Sequence, residues 1–109
     1  MGKGFDIGSL LGRAQALQEE LASAQEDVAR IVVEGKAGGG MVTVEMNGRL
    51  EVVRVMLDPS LLDDPDREML QDLIVAATND AIRKAQAVVA DEMGKVTGRL
   101  GLKLQGLGS

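Results

Sequence analysis

Cysteine and histidine are both absent from this 109-residue chain. Without cysteine there are neither disulfides nor thiolate metal sites. Without histidine the commonest general base and the commonest metal ligand are missing. Aromatics are nearly absent too: there is one Phe, with no Trp or Tyr. The core must therefore come from Leu, Ile, Val, Met and Ala, which bury less area per residue than aromatic rings. A chain of this length is one small domain, near the size at which a single core is only modestly stabilising. A second copy of the chain is a natural source of further buried surface.

Long hydrophobic runs are lacking as well, and nothing approaches the roughly 20 apolar residues of a membrane span. The N-terminal residues Met1 to Asp6 contain neither the apolar stretch nor the cleavage site of a secretion signal. Asp6 stands where myristoylation requires Ser or Thr. The expectation is a soluble, cytoplasmic protein with no membrane partner.

The net charge of −5 is unevenly spread. Residues 1–29 carry −3, residues 30–57 carry +1, residues 58–82 carry −6 and residues 83–109 carry +3. An acidic total argues against an indiscriminate polycation, while a local basic surface remains able to hold phosphate.

From Ile7 the apolar positions run Leu10, Ala14, Leu17, Leu21, Ala24 and Val28, with spacings alternating between three and four. That is a sustained heptad, and it predicts a first helix over about residues 6–29, capped by Asp6 or Ser9. Three strands are predicted next, over about 30–34, 41–46 and 49–57. Gly38, Gly39 and Gly40 separate the first two and suggest positive φ or close backbone approach. A phosphate-binding loop would need Ser or Thr after Lys36 and then a helix; Ala37 and a strand stand there. Asn47-Gly48 predicts a two-residue type I′ hairpin with positive φ at both positions. Val42, Val44 and Met46 share one face of the second strand. The third strand is apolar on both sides, with Leu50, Val52 and Met56 on one and Val53, Val55 and Leu57 on the other. A strand buried on both faces needs a cover on each, and one chain supplies only one.

Asp58-Pro59 closes the strand region. Asp63, Asp64 and Asp66 precede a second helix over about 66–93 and suit the positive end of its dipole. With Glu68 and Asp72 these acids could suggest a divalent cation, but no Ca²⁺-loop spacing is present and no metal is expected. A helix of that length, roughly 42 Å, exceeds the roughly 20 Å span of such short strands, so parts of both helices should project. Gly94, Gly98, Gly101, Gly106 and Gly108 make the last residues a poor helix, so a domain over 1–93 and a flexible, glycine-rich tail over 94–109 are expected.

Four features in one order resemble the YbaB/EbfC family of bacterial nucleoid-associated proteins. They are the Gly38-Gly39-Gly40 run, the hairpin from Val42 to Gly48, the segment from Asp58 to Leu62, and Asn79-Asp80-Ala81. The resemblance covers nearly the whole chain. It implies an α+β fold of helix, three-stranded antiparallel sheet and helix, assembled as a tweezers-like homodimer with projecting helices. It also implies binding of double-stranded DNA in the nucleoid, without catalysis, cofactor or small-molecule substrate. Val42, Val44, Leu50, Val53, Val55 and Leu57 are then the expected dimer interface. The cations expected to touch phosphate are Lys3 and Arg13 near the start of the first helix, Arg83 and Lys84 on the second, and Lys95, Arg99 and Lys103 towards its end. Phosphate contacts set position and carry little sequence information. Phe5 alone cannot stack single-stranded bases, so duplex is favoured. Gln15, Gln18 and Gln25 are more readily ordinary helix-surface residues than base readers. Asn79, a mediocre residue inside a helix, is expected to bond into the strands or across a dimer.

The main competing function is a protein-interaction adaptor that uses the heptad seam and the acidic helix start. An enzyme is disfavoured, because nothing pairs a nucleophile with a base at a recognisable spacing.

Overall fold

The computed structural model describes the backbone of residues 6–107 and the side chains of residues 6–99. Helix α1 (Ile7–Arg30) leads into β1 (Val32–Ala37), β2 (Val42–Asn47) and β3 (Val52–Leu57). A single turn, α2 (Ser60–Asp63), precedes the long helix α3 (Arg67–Leu107). The strands form one antiparallel sheet in the order β1-β2-β3, so β1 and β3 are both edges. The molecule is a rod of 81 × 20 × 16 Å.

Local chemistry places the element ends. The Asp6 carboxylate accepts the Ser9 N–H at 3.3 Å and starts α1. Gly38, Gly39 and Gly40 have φ of 62°, 66° and 95°, the positive values expected of the β1–β2 turn. Asp58 accepts both the Ser60 N–H at 2.9 Å and its hydroxyl at 2.7 Å, which turns the chain into α2, a turn the sequence reading lacked. Those two bonds hold the Asp58 carboxyl below its ordinary pKa, the hydroxyl contributing most. Asp66 accepts the Met69 N–H at 3.1 Å and caps α3.

The core is built on β2. Val42, Val44 and Met46 are buried against Leu61 and the alanines 77, 81 and 85 of α3. Alanine at every fourth position gives α3 a smooth face, and Gly35 answers it from β1. A Cβ at Gly35 would strike the Ala77 carbonyl oxygen and the Ala81 backbone. Helix α3 lies across β1 and β2 and leaves β3 largely uncovered.

Three expectations are corrected. Val42 and Val44 have no exposed surface even in a single chain, so they belong to the protomer's own core and have nothing left to offer an interface. Leu50 falls in the β2–β3 turn rather than on the third strand. The second helix does not stop at Met93: α3 continues through Gly94, Gly98 and Gly101 to Leu107. Each glycine weakens a helix by only about 1 kcal/mol. Support for this stretch comes from α1: Ala24 of α1 and Val96 of α3 are both buried, and Arg99 reaches Glu20 of α1 at 3.6 Å.

Candidate nucleic-acid interface

Beyond the sheet, α1 and the second half of α3 run alongside one another as a two-helix arm. Of the expected phosphate contacts, Arg13, Lys95 and Arg99 lie here, whereas Arg83 and Lys84 sit beside the β1 edge. Lys3 lies outside the described residues, as does the side chain of Lys103. Arg13 is exposed on the outer half of α1.

Each of the remaining nominated cations meets a carboxylate. Arg83 lies 3.6 Å from Asp80 and Lys84 lies 3.0 Å from it. Lys95 sits between Glu92 at 3.3 Å and Asp91 at 3.7 Å, which raises its pKa, chiefly through the Glu92 hydrogen bond. On the projecting part of α3, Lys95 and Arg99 are thus each paired with acid. Such exposed pairs are screened by solvent and weak, so an arriving phosphate displaces Asp91, Glu92 or Glu20 at little cost.

Lys84 is different, because it is also part of the fold. Its ammonium donates to the Glu34 carbonyl oxygen at 3.0 Å, and Asp80 accepts the Lys36 N–H at 3.0 Å. Both backbone groups lie on the free edge of β1. The bond from Lys36 is the main reason the Asp80 carboxyl is held below its ordinary pKa, with Lys84 next. The helix-to-strand bond expected of Asn79 is therefore made by its neighbour, and Asn79 is exposed. Asp80 stands four residues before Lys84, a spacing that signals a helix pair; its reach to a strand edge had no sequence signal.

The other edge has no such cover. On β3, Val52, Val53 and Val55 are 51 %, 56 % and 45 % exposed. The far face of the sheet carries Glu34, Lys36, Glu45 and Arg54, with Arg54 donating to Glu45 at 2.8 Å. A register shift at Glu45/Met46 sets Met46 against Val52.

The β2–β3 turn departs from the type I′ expectation. Neither Asn47 nor Gly48 has positive φ; Leu50 does, at 63°. Leu50 N–H donates to the Asn47 carbonyl and Asn47 N–H to that of Glu51, both at 3.0 Å. This is a three-residue connection closed by a left-handed residue, where glycine is usual. The Asn47 side chain accepts the N–H groups of Arg49 at 2.9 Å and Glu51 at 3.1 Å, and donates to the Glu51 carboxylate at 2.9 Å. Gly48 N–H reaches the Ile31 carbonyl at 3.1 Å, and a Cβ there would strike the Val28 carbonyl. The turn is therefore locked against the end of α1, where the arm begins.

Among the described residues, Arg13, Arg49 and Arg67 are the cations with no carboxylate at salt-bridge distance. Arg49 was not anticipated, because the sequence placed it at the start of a strand. On the acidic side, Asp66, Glu68 and Asp72 line a shallow cleft with Met69 and Leu73. Among the described residues no set of three acidic side chains is grouped to hold a metal, and no helix is long and apolar enough to cross a membrane.

The comparisons with known proteins follow the same architecture. The sequence profile of the YbaB/EbfC DNA-binding family matches residues 1–100. A nucleoid-associated protein of Syntrophobacter fumaroxidans is 50 % identical over 110 residues, covering 98 % of this chain and 97 % of the relative. One from Rhodococcus erythropolis is 45 % identical over 102 residues, covering 94 % and 91 %. The crystal structure of an uncharacterized Helicobacter pylori protein superposes with a TM-score of 0.63 at 28 % identity, covering 88 % of this chain and 97 % of that one.

Proposed function

This chain belongs to the YbaB/EbfC DNA-binding family, a family of DNA-binding proteins rather than enzymes, and from that premise we propose that it binds double-stranded DNA as a homodimeric clamp in the bacterial nucleoid. The observation that carries the DNA reading is the family match over residues 1–100. The relatives' common name, nucleoid-associated protein, supports the location.

The dimer rests on the difference between the two sheet edges. Side chains of α3 occupy the β1 edge, whereas β3 keeps its edge free and its valines exposed. Val53, Val55 and Leu57 are the residues we assign to the contact between copies. Joining two chains there sets two α1/α3 arms on one platform, and a duplex lies between them.

Phosphate contacts fall to Lys3, Arg13, Arg83, Lys95, Arg99 and Lys103. Lys84 contributes charge only so far as its two structural bonds allow. Because Arg83, Lys95 and Arg99 carry carboxylates beside them, the clamp's hold on phosphate is moderate and readily reversed by salt.

Titrating a labelled mixed-sequence duplex at several salt concentrations tests the reading. Affinity should fall steeply as salt rises, with a log–log slope set by the number of phosphates neutralised. Arg83→Ala should weaken binding uniformly across sequences while leaving the light-scattering mass at two chains. The second reading, a protein-interaction adaptor, draws on the exposed heptad residues Ile7, Leu10 and Leu21 and on the acidic start of α3 at Asp66, Glu68 and Asp72. Absence of duplex binding even at low salt would favour it.

A further inference from the structure

Resting on the clamp reading, we propose that the β2–β3 turn is a groove-reading tip at the root of the clamp, with Arg49 entering the DNA minor groove and Leu50 packing against the sugar edges. The turn supplies a specificity that phosphate contacts on the arms do not.

Position is the first argument. The turn abuts Val28 and Ile31 at the end of α1, where the arm leaves the sheet. It leads directly into β3, the edge assigned to the partner, so the tip sits at the root of the arm and next to the proposed contact between copies. A duplex held by the arms lies over it.

Chemistry is the second. Arg49 is exposed and, among the described residues, free of any carboxylate at salt-bridge distance, unlike every nominated cation on α3 described here. It need not leave a partner to meet DNA. Its neighbour Leu50 is 43 % exposed. An arginine beside an exposed apolar side chain is the pairing that minor-groove proteins use, the one reading groove width and the other wedging against the sugars or between base steps.

Rigidity is the third. Asn47 makes three side-chain bonds within the turn, and Gly48 anchors it to α1. Leu50 itself holds a left-handed backbone, φ 63°, at a position suited to glycine. Asn47-Gly48 already supplies turn residues, yet the left-handed site carries a bulky apolar side chain. Strain kept at a position that leaves Leu50 43 % exposed points to use of that side chain.

The test compares two duplexes of equal length, one with a central A-tract and one of mixed sequence, by fluorescence anisotropy. Narrow minor grooves concentrate negative potential, so the wild-type protein should prefer the A-tract duplex several-fold. Arg49→Ala should lose that preference and bind it about 5- to 10-fold more weakly. Arg49→Lys should keep the salt slope and the mixed-sequence affinity but lose the preference, since lysine lacks the planar fork. Leu50→Gly should unfold at no lower denaturant concentration than wild type, yet bind both duplexes less tightly. Unchanged binding by Arg49→Ala overturns the proposal and leaves the clamp standing. A fall to single-chain mass in Leu50→Gly also overturns it, because Leu50 then belongs to the contact between copies. Absence of wild-type binding to either duplex removes the clamp reading and this inference together.

Discussion

The carboxylate of Asp80 accepts the backbone N–H of Lys36 at 3.0 Å, across 44 positions of sequence. This bond fastens the long helix to the sheet edge and closes that edge to other strands. Asp80→Ala should destabilise the protein, because it removes the acceptor of the Lys36 N–H and the partner of Lys84. The measurement is chemical denaturation, and concentration-dependent association through the freed β1 edge should rise with it.

The same bond makes stability depend on acidity. Asp80 is held below its ordinary value by the Lys36 N–H and by Lys84. Its contribution is therefore complete above the unfolded carboxylate value of about 3.9 and is lost as pH falls through the lower folded value. Asp80→Asn should flatten the acid limb of the stability curve in this window. An unchanged acid limb would remove Asp80 from the account.

Gly35→Ala tests the contact between α3 and β1. The added methyl meets backbone atoms of Ala77 and Ala81, which cannot rotate away. Overpacking of this kind costs about 1–3 kcal/mol, and here the upper end is expected. Thermal denaturation gives the value.

On the proposed pairing through β3, Val53→Asp should separate the copies without unfolding either, because Val53 is 56 % exposed on the uncovered edge strand. Light scattering should report half the wild-type mass, with an unchanged circular dichroism spectrum per residue. A mass that does not change would move the contact between copies away from β3.

The end of α3 makes the opposite kind of prediction. Nothing lies within 4 Å of a Cβ built at Gly94, Gly98 or Gly101. Replacing all three with alanine should raise helicity and stability, by up to about 1 kcal/mol per site.

Much of the fold was legible in the sequence, because it rests on short-range pattern. The heptad from Ile7 to Val28, the three glycines after Ala37, and the alternation of Val42, Val44 and Met46 each correspond to an observed element. What escaped depends on contacts distant in sequence. A helix read from its own glycines ends at Met93; α3 continues beside α1. Asn47-Gly48 reads as a two-residue turn until the anchoring of Gly48 at Val28 and Ile31 shifts the left-handed position to Leu50. Val42 and Val44 could not be sorted between core and interface without knowing which strands α3 covers. The cations were countable from sequence, but the carboxylates that accompany them on α3 and α1 were visible only in part. Asp80 before Lys84 shows the helical spacing, whereas Arg99 meeting Glu20 has no local sign.

The two edges of the sheet also set how far the protein can polymerise through its strands. A unit with two open edges is divalent and adds neighbours at both ends, as fibrils do. With Asp80 and Lys84 bonded to the β1 edge, β3 is the edge left open for strand pairing. On the pairing proposed above, one partner at β3 uses that edge, and growth by strand pairing goes no further than two.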